Sequence, residues 1–364
     1  MALIIEGGLN LPMPKMVPIR QKFSTAEVKD IPAEIQKLFH QEARMKTIRK
    51  GSRIAVTGGS RGIQAIDKVI LAVIRELKSL GAEPFVVPAM GSHGGATAEG
   101  QKKVLAGYGI TEETMGVPVR SSMEVEEIGK LGNGVPVYLD KEALHSDGIV
   151  VINRVKPHTA FKADYESGLI KMLAIGLGKH KGATAFHSCG MDMFGELLPQ
   201  LGKVVLAKAP VLFGLAILEN AYDHPARFEI VWSQDLIARE KVLLVEAKSL
   251  MPQIIPDNLD LLIVHELGKE ISGSGMDPNI TGRSSSPFFK KPDALKVQRI
   301  VVLNLTAATK GNACGIGMAD LTTKKVVDAM DRDYTYINAI TSAFWRRREF
   351  PSTCLRTRRR SSWR

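Results

Sequence analysis

The feature that most restricts the fold is a repeated one: a short β-branched run that ends in a glycine-rich or polar cluster. It occurs at residues 53–57 before GGSRG, 84–88 before AMGSHGG, 148–152 before NRVKPHT, 261–264 before HELGKEISGSG and 300–303 before NLTAATKGN. Runs of this kind suit strands covered on both faces, and helical patterns fall between some of them. Residues 65–80, AIDKVILAVIRELKSL, carry apolar residues at helical spacing and stop at Gly81, which predicts a crossover helix. The pattern therefore predicts an α/β chain with largely parallel sheets. In such folds ligands collect at the carboxyl ends of the strands, where these runs put Arg61, His93, Lys156, His158, Lys269 and Lys310.

A chain of 364 residues, 45% of them apolar, can fill two cores. Pro252 and Pro256 interrupt the pattern, so we expect an N-terminal domain at 1–255, a smaller α/β domain at 256–343, and an active site at their interface. No internal repeat is visible. Cys189, Cys314 and Cys354 are far apart and show no CxxC spacing, which argues against a disulfide framework or a cysteine zinc site and fits a reducing cytoplasm. No apolar run reaches the roughly 18 residues of a membrane span. The net charge of +11 is unevenly spread: residues 344–364 hold eight arginines and one glutamate, or +7, leaving 41 basic against 37 acidic residues elsewhere. The body thus has no nucleic-acid footprint. The tail FWRRREFPSTCLRTRRRSSWR has no structural period and is expected to be disordered or out of frame, the alternative being a basic arm.

Four motifs carry chemistry. VTGGSRGI at 56–63 resembles the cofactor turn of short-chain dehydrogenases, but Gln64 stands where a glycine is needed and no tyrosine is followed four residues later by lysine. As a loop opening a helix, Ser60 and Arg61 still suit a phosphate or carboxylate. GSHGGAT places His93 among glycines, which offer it no core, so a catalytic or ligand role competes with a helix-capping turn. RVKPHTAF sets Lys156 and His158 after a buried strand, where a base acting on an anion competes with a structural turn. In GLIKMLAIGLG, Lys171 either reaches the surface or is desolvated into a nucleophile able to attach a cofactor. His187, in ATAFHSCG, is a candidate metal ligand without zinc-site spacing. His180 in GKHKG is expected in an exposed turn, and His40, His145, His224 and His265 lack supporting context.

Taken together, Ser60 and Arg61 in SRG, His93 in GSHGGAT, His158 in KPH, Lys171 and His187 resemble, in order and approximate interval, the nickel-pincer lactate racemase family over most of residues 50–343. The resemblance implies a covalent nickel-pincer mononucleotide on Lys171, with His187 joining the cofactor's sulfur and carbon donors around nickel, a metal suited to a soft square-planar site. It implies His93 and His158 as opposed general bases and Arg61 as a clamp for a carboxylate or a cofactor phosphate, with Ser60 and Lys156 beside the cofactor. A C-terminal lysine that contacts substrate is expected at Lys269, with Arg283 and Lys310 as other candidates. The implied partners are a 2-hydroxyacid substrate and the enzymes that make the cofactor. The chain departs from the family at Gly62, where a proline is usual, and at Gly94, where an arginine is usual. Two other classes fit parts of the sequence: a non-catalytic protein binding a phosphorylated metabolite, and a metal-dependent hydrolase using His93, His158 and His187.

Overall fold

A computed structural model describes residues 15–60 and 62–341. Arg61 and the 344–364 tail lie outside the described residues. Each of the five anticipated runs is a strand. They form β1 (Arg53–Gly58), β2 (Glu83–Pro88), β5 (Gly148–Arg154), β8 (Asn258–Leu267) and β9 (Lys296–Leu305). The sequence pattern did not reveal β3 (Val125–Lys130), β4 (Pro136–Asp140), β6 (Val211–Glu219), β7 (Pro225–Trp232) or the short β10 (Leu321–Thr322).

The described residues form a five-stranded sheet in the order β2-β1-β5-β6-β7. Its pairs are parallel except for the antiparallel edge pair β6–β7. Side chains alternate across it as strand geometry requires. On β5, Ile149 and Val151 enter one core, and Val150 and Ile152 enter the other. One face is covered by the helices Ile31–Gln41 and Ile66–Ser79, the second being the anticipated crossover helix. It turns Ile66, Val69, Ile70, Val73, Ile74 and Leu77 inward at helical spacing, so the sequence period and the burial coincide. The opposite face is covered by Phe194–Lys208, Leu236–Leu250 and the segment bearing Lys171.

After residue 257 the chain builds a second, parallel sheet in the order β10-β9-β8. Leu267, Ile300, Val302 and Val326 make its core, while Leu261 and Ile263 are exposed. The architecture is thus α/β with two largely parallel sheets. No helix among the described residues is long and apolar enough to cross a membrane.

Candidate active site

Because β2, β1 and β5 are parallel neighbours, the loops after them emerge side by side at one sheet edge. These loops carry His93, Ser60 and His158. Ser60 Oγ lies 2.5 Å from His93 Nδ1, and Tyr108 donates to the Ser60 carbonyl at 2.9 Å. The glycines of GSHGG are conformational necessities: Gly91, Gly94 and Gly95 have φ of 59, 69 and 67°. A Cβ on Gly94 would also sit 2.6 Å from the backbone of Gly100 and Gln101. The loop closes so tightly on the helix Ala98–Gly107 that only glycine fits.

The His158 loop is held by the buried Glu166. Its carboxylate accepts from the His158 N–H at 2.6 Å and from Lys162 Nζ at 3.0 Å, and it pairs with Lys248 at 2.7 Å. Lys162 also donates to the His158 carbonyl at 2.8 Å, and burial pulls the pKa of Lys162 below its ordinary value, against the Glu166 charge. The Ala160 N–H lies 3.1 Å from His158 Nδ1 and occupies that nitrogen's lone pair, so the neutral ring carries its proton on Nε2. Lys156 is half-buried after β5; burial and then the Arg154 charge lower its pKa, opposed by Asp277 and Glu219. Arg154 and Glu219 form an ion pair, and Glu219 also takes the Gln64 N–H at 3.3 Å, which ties the SRG turn to the ends of β5 and β6.

Lys171 lies at the end of a helical turn, Leu169–Lys171, that continues as a π-helical stretch, Met172–Gly176. Such stretches are rare and gather at functional sites. Glu240, fully buried, accepts from the Ile170 N–H at 2.8 Å and so caps the turn that carries Lys171. The same stretch abuts both other loops. Gly176 O accepts from Gly91 N at 3.1 Å, and a Cβ on Gly59 would lie 2.9 Å from Met172 Cε. His187, which ends the helix Lys179–His187, is exposed and rests its ring against Phe194, centroids 5.3 Å apart. Desolvation by these neighbours, and then the Lys171 charge, depress its pKa and favour the neutral imidazole that can ligate a metal. Phe194 also meets Phe161 at 5.8 Å, and Phe161 meets His158 at 4.5 Å. Ser60, His93, Lys171, His187 and His158 are therefore joined through direct contacts and shared neighbours.

The C-terminal candidates are placed differently. Lys269 hydrogen-bonds Asn338 within the second unit. Arg283 is engaged by Asp320 and by the carbonyls of Met318 and Val297, a structural clamp rather than a free cation. The contacts that reach the His158 loop come from Asn279, which donates to His158 O at 3.3 Å, and from Phe289, whose ring lies 4.8 Å from Lys162 Nζ. Sequence reasoning missed Asn279, which stands four residues before Arg283. It also missed the buried Glu166, Glu240, Gln101, Asp140 and Lys179. Among the described residues no three His, Cys, Asp or Glu side chains gather to hold a metal, so His93, His158 and His187 do not form a hydrolase-type zinc site.

The lactate racemase N-terminal domain family matches residues 10–194, just over half of the chain. The chain belongs to the lactate racemase family. Among solved structures, the lactate racemase apoprotein from Thermoanaerobacterium thermosaccharolyticum is similar at 13% identity and a TM-score of 0.48, over 76% of this chain and 68% of that one. No curated protein matches the chain in sequence. The family match spans all six residues that carry the resemblance, from Ser60 to His187.

Proposed function

We propose that the chain is a 2-hydroxyacid racemase or epimerase that works by hydride transfer, with its active site between residues 1–255 and 256–343. The observation that carries this reading is the packing of the His93 loop onto the Lys171 stretch, with His187 close enough to feel the Lys171 charge. These residues fit the family's nickel-pincer nucleotide: Lys171 would attach it, His187 would ligate its metal as a neutral imidazole, and Ser60 with Lys156 would flank it. When bound, that group supplies the acceptor for the C2 hydride.

The chain's own side chains then manage the proton and the carboxylate. As the C2 hydride departs, the hydroxyl proton must leave so that the carbonyl can form, and a second group must return a proton when the opposite face is reduced. His93 can do the first. Its Nδ1 faces a hydroxyl that can accept as well as donate, which frees Nε2 to carry a lone pair. His158 can return a proton from Nε2 as the imidazolium, a state in which its Nδ1 gives up the Ala160 N–H that it accepts in the conformation described. The roles exchange for the other enantiomer. Lys156, its pKa lowered chiefly by burial, would meet the substrate carboxylate along with Arg61 and Lys269.

The test is to supply one enantiomer of a 2-deuterated 2-hydroxyacid to protein co-produced with the cofactor-making enzymes. Racemisation with deuterium kept at C2 is expected. Exchange of that deuterium with solvent would replace hydride transfer by proton abstraction, and no interconversion across a panel of 2-hydroxyacids would overturn the reading.

A further inference from the structure

Lys179 has no counterpart among the catalytic roles above, yet it is the largest fully buried side chain of the described residues and has a left-handed φ of 52°. Both features cost free energy. Burial drives the Lys179 ammonium towards its neutral form and the Asp140 carboxyl up towards its neutral form, each opposed by the other's charge. A buried ion pair of this kind is weak evidence of stability, since apolar residues of similar volume often serve as well. Its geometry gives it another purpose. The ammonium donates to the Pro88 carbonyl at the end of β2 and to Gln101 Oε1 at 3.1 Å, and it forms an ion pair with Asp140 Oδ2 at 3.2 Å, an oxygen that has no hydrogen-bond partner.

The consequence falls on Gln101. Only the oxygen of its amide can face an ammonium, so the NH2 group must face the other way. There it meets the Gly91 carbonyl at 2.8 Å and the His93 carbonyl at 3.3 Å. The buried lysine thus orients an amide that grips the His93 loop from beneath, at both sides of Ser92. The loop has left-handed glycines at Gly91, Gly94 and Gly95 and backbone bonds from His93 N–H to Met90 O and from Ala96 N–H to Ser92 O, both 3.1 Å, and the amide adds its hold on the carbonyls of Gly91 and His93. Lys179 also begins the helix that ends at His187, so one ammonium references the His93 loop to the element bearing the candidate metal ligand.

We infer that Lys179, acting through Gln101, is a positioning residue that sets the His93 imidazole against the Lys171–His187 segment. This rests on the reading of His93 as an acid–base group. Gln101→Glu separates the parts of the network, because a carboxylate still satisfies Lys179 but has no N–H for Gly91 or His93. Gln101→Met removes all of the polar contacts at similar size.

The experiment is amide hydrogen exchange on the full chain, followed by kinetics of the same variants. Losing both hydrogen bonds should speed exchange at residues 91–96 by about tenfold or more in Gln101→Glu, with the helix Lys179–His187 as protected as in the wild type. In active preparations kcat should fall with KM little changed, and wild-type kinetics should not be recovered by Gln101→Met. Unchanged loop exchange in both folded variants would overturn the inference, as would global unfolding of both, which would make the network a general folding element. A loosened loop in a protein whose wild type shows no turnover would uphold the positioning and overturn the racemase reading instead.

Discussion

The loops that carry His93 and His158 leave the two strands that flank β1 in one sheet, yet they are held by charges of opposite sign. Beneath the His93 loop the buried charge is an ammonium, which acts through Gln101 on the carbonyls of Gly91 and His93. Beneath the His158 loop it is a carboxylate, Glu166, which takes the His158 N–H directly. The difference follows from the backbone. A glycine-rich turn with left-handed residues leaves carbonyls pointing inward, whereas the turn after Pro157 leaves an N–H, and each buried group needs a partner of the right sense. The two histidines differ accordingly: His93 Nδ1 meets a hydroxyl that can reverse its direction, and His158 Nδ1 meets an N–H that cannot.

The sharpest way to break the comparison is to remove the anion. Glu166→Ala leaves Lys162 and Lys248 facing each other beside an unpaired His158 N–H, and should cost about 3–5 kcal/mol in urea denaturation. A loss below about 1 kcal/mol would mean that the His158 loop does not depend on its buried charge.

Next in size is a pH effect at Glu240, which caps the Lys171 turn immediately after the His158 loop. Burial pushes its carboxyl up to about 7, only partly offset by the Ile170 and Leu169 N–H groups. A carboxyl whose pKa is raised on folding favours the folded state when protonated, so its contribution is greatest at low pH and is lost as pH climbs from the ordinary carboxyl value towards 7. Gln at this position should therefore remove a fall in stability on the order of 3 kcal/mol between pH 5 and pH 8. The measurement is the difference between wild-type and Glu240→Gln urea midpoints at the two pH values. An unchanged difference would place the titration elsewhere.

Smaller effects distinguish the rings. Ser60→Ala removes the reversible partner of His93 Nδ1 and should lower kcat by about tenfold, an effect that enantiomer-resolved kinetics would detect as unequal in the two directions. Equal losses in both directions would remove the distinction drawn between the histidines. The smallest change is Asn279→Ala, expected to cost about 1 kcal/mol or less of local protection at the His158 loop and nothing at the His93 loop, as read by amide exchange.

Much of this arrangement was legible in the sequence, for a physical reason. Strands covered on both faces are written as apolar runs, and the polar clusters that end them mark the edge where ligands bind, so His93, Ser60, Lys156 and His158 could be placed before any coordinates. Lys171 was open between surface and interior, and it proves half-buried at the start of a π-helical stretch. The supporting residues were illegible for the opposite reason. Lys179 stands in GKHKG, which reads as an exposed turn; His180 is exposed but lies in the helix Lys179–His187, and the Lys179 side chain is buried by Pro88, Gln101 and Asp140, which are distant in sequence. Gln101, Glu166 and Glu240 sit in ordinary polar contexts, and only tertiary packing distinguishes them from surface residues. The expected prominence of Lys269 on the C-terminal side is joined by a contact from Asn279, whose short side chain gave no electrostatic signal.

The central claim is that Lys171 and His187 form a cofactor site. Intact-mass spectrometry with metal analysis, on wild type, Lys171→Ala and His187→Ala produced beside the cofactor-making enzymes, tests it most directly. The account predicts a mononucleotide-sized adduct and stoichiometric nickel on wild type, no adduct on Lys171→Ala, and an adduct with depleted nickel on His187→Ala. An unmodified Lys171 with no nickel in the wild type would contradict it.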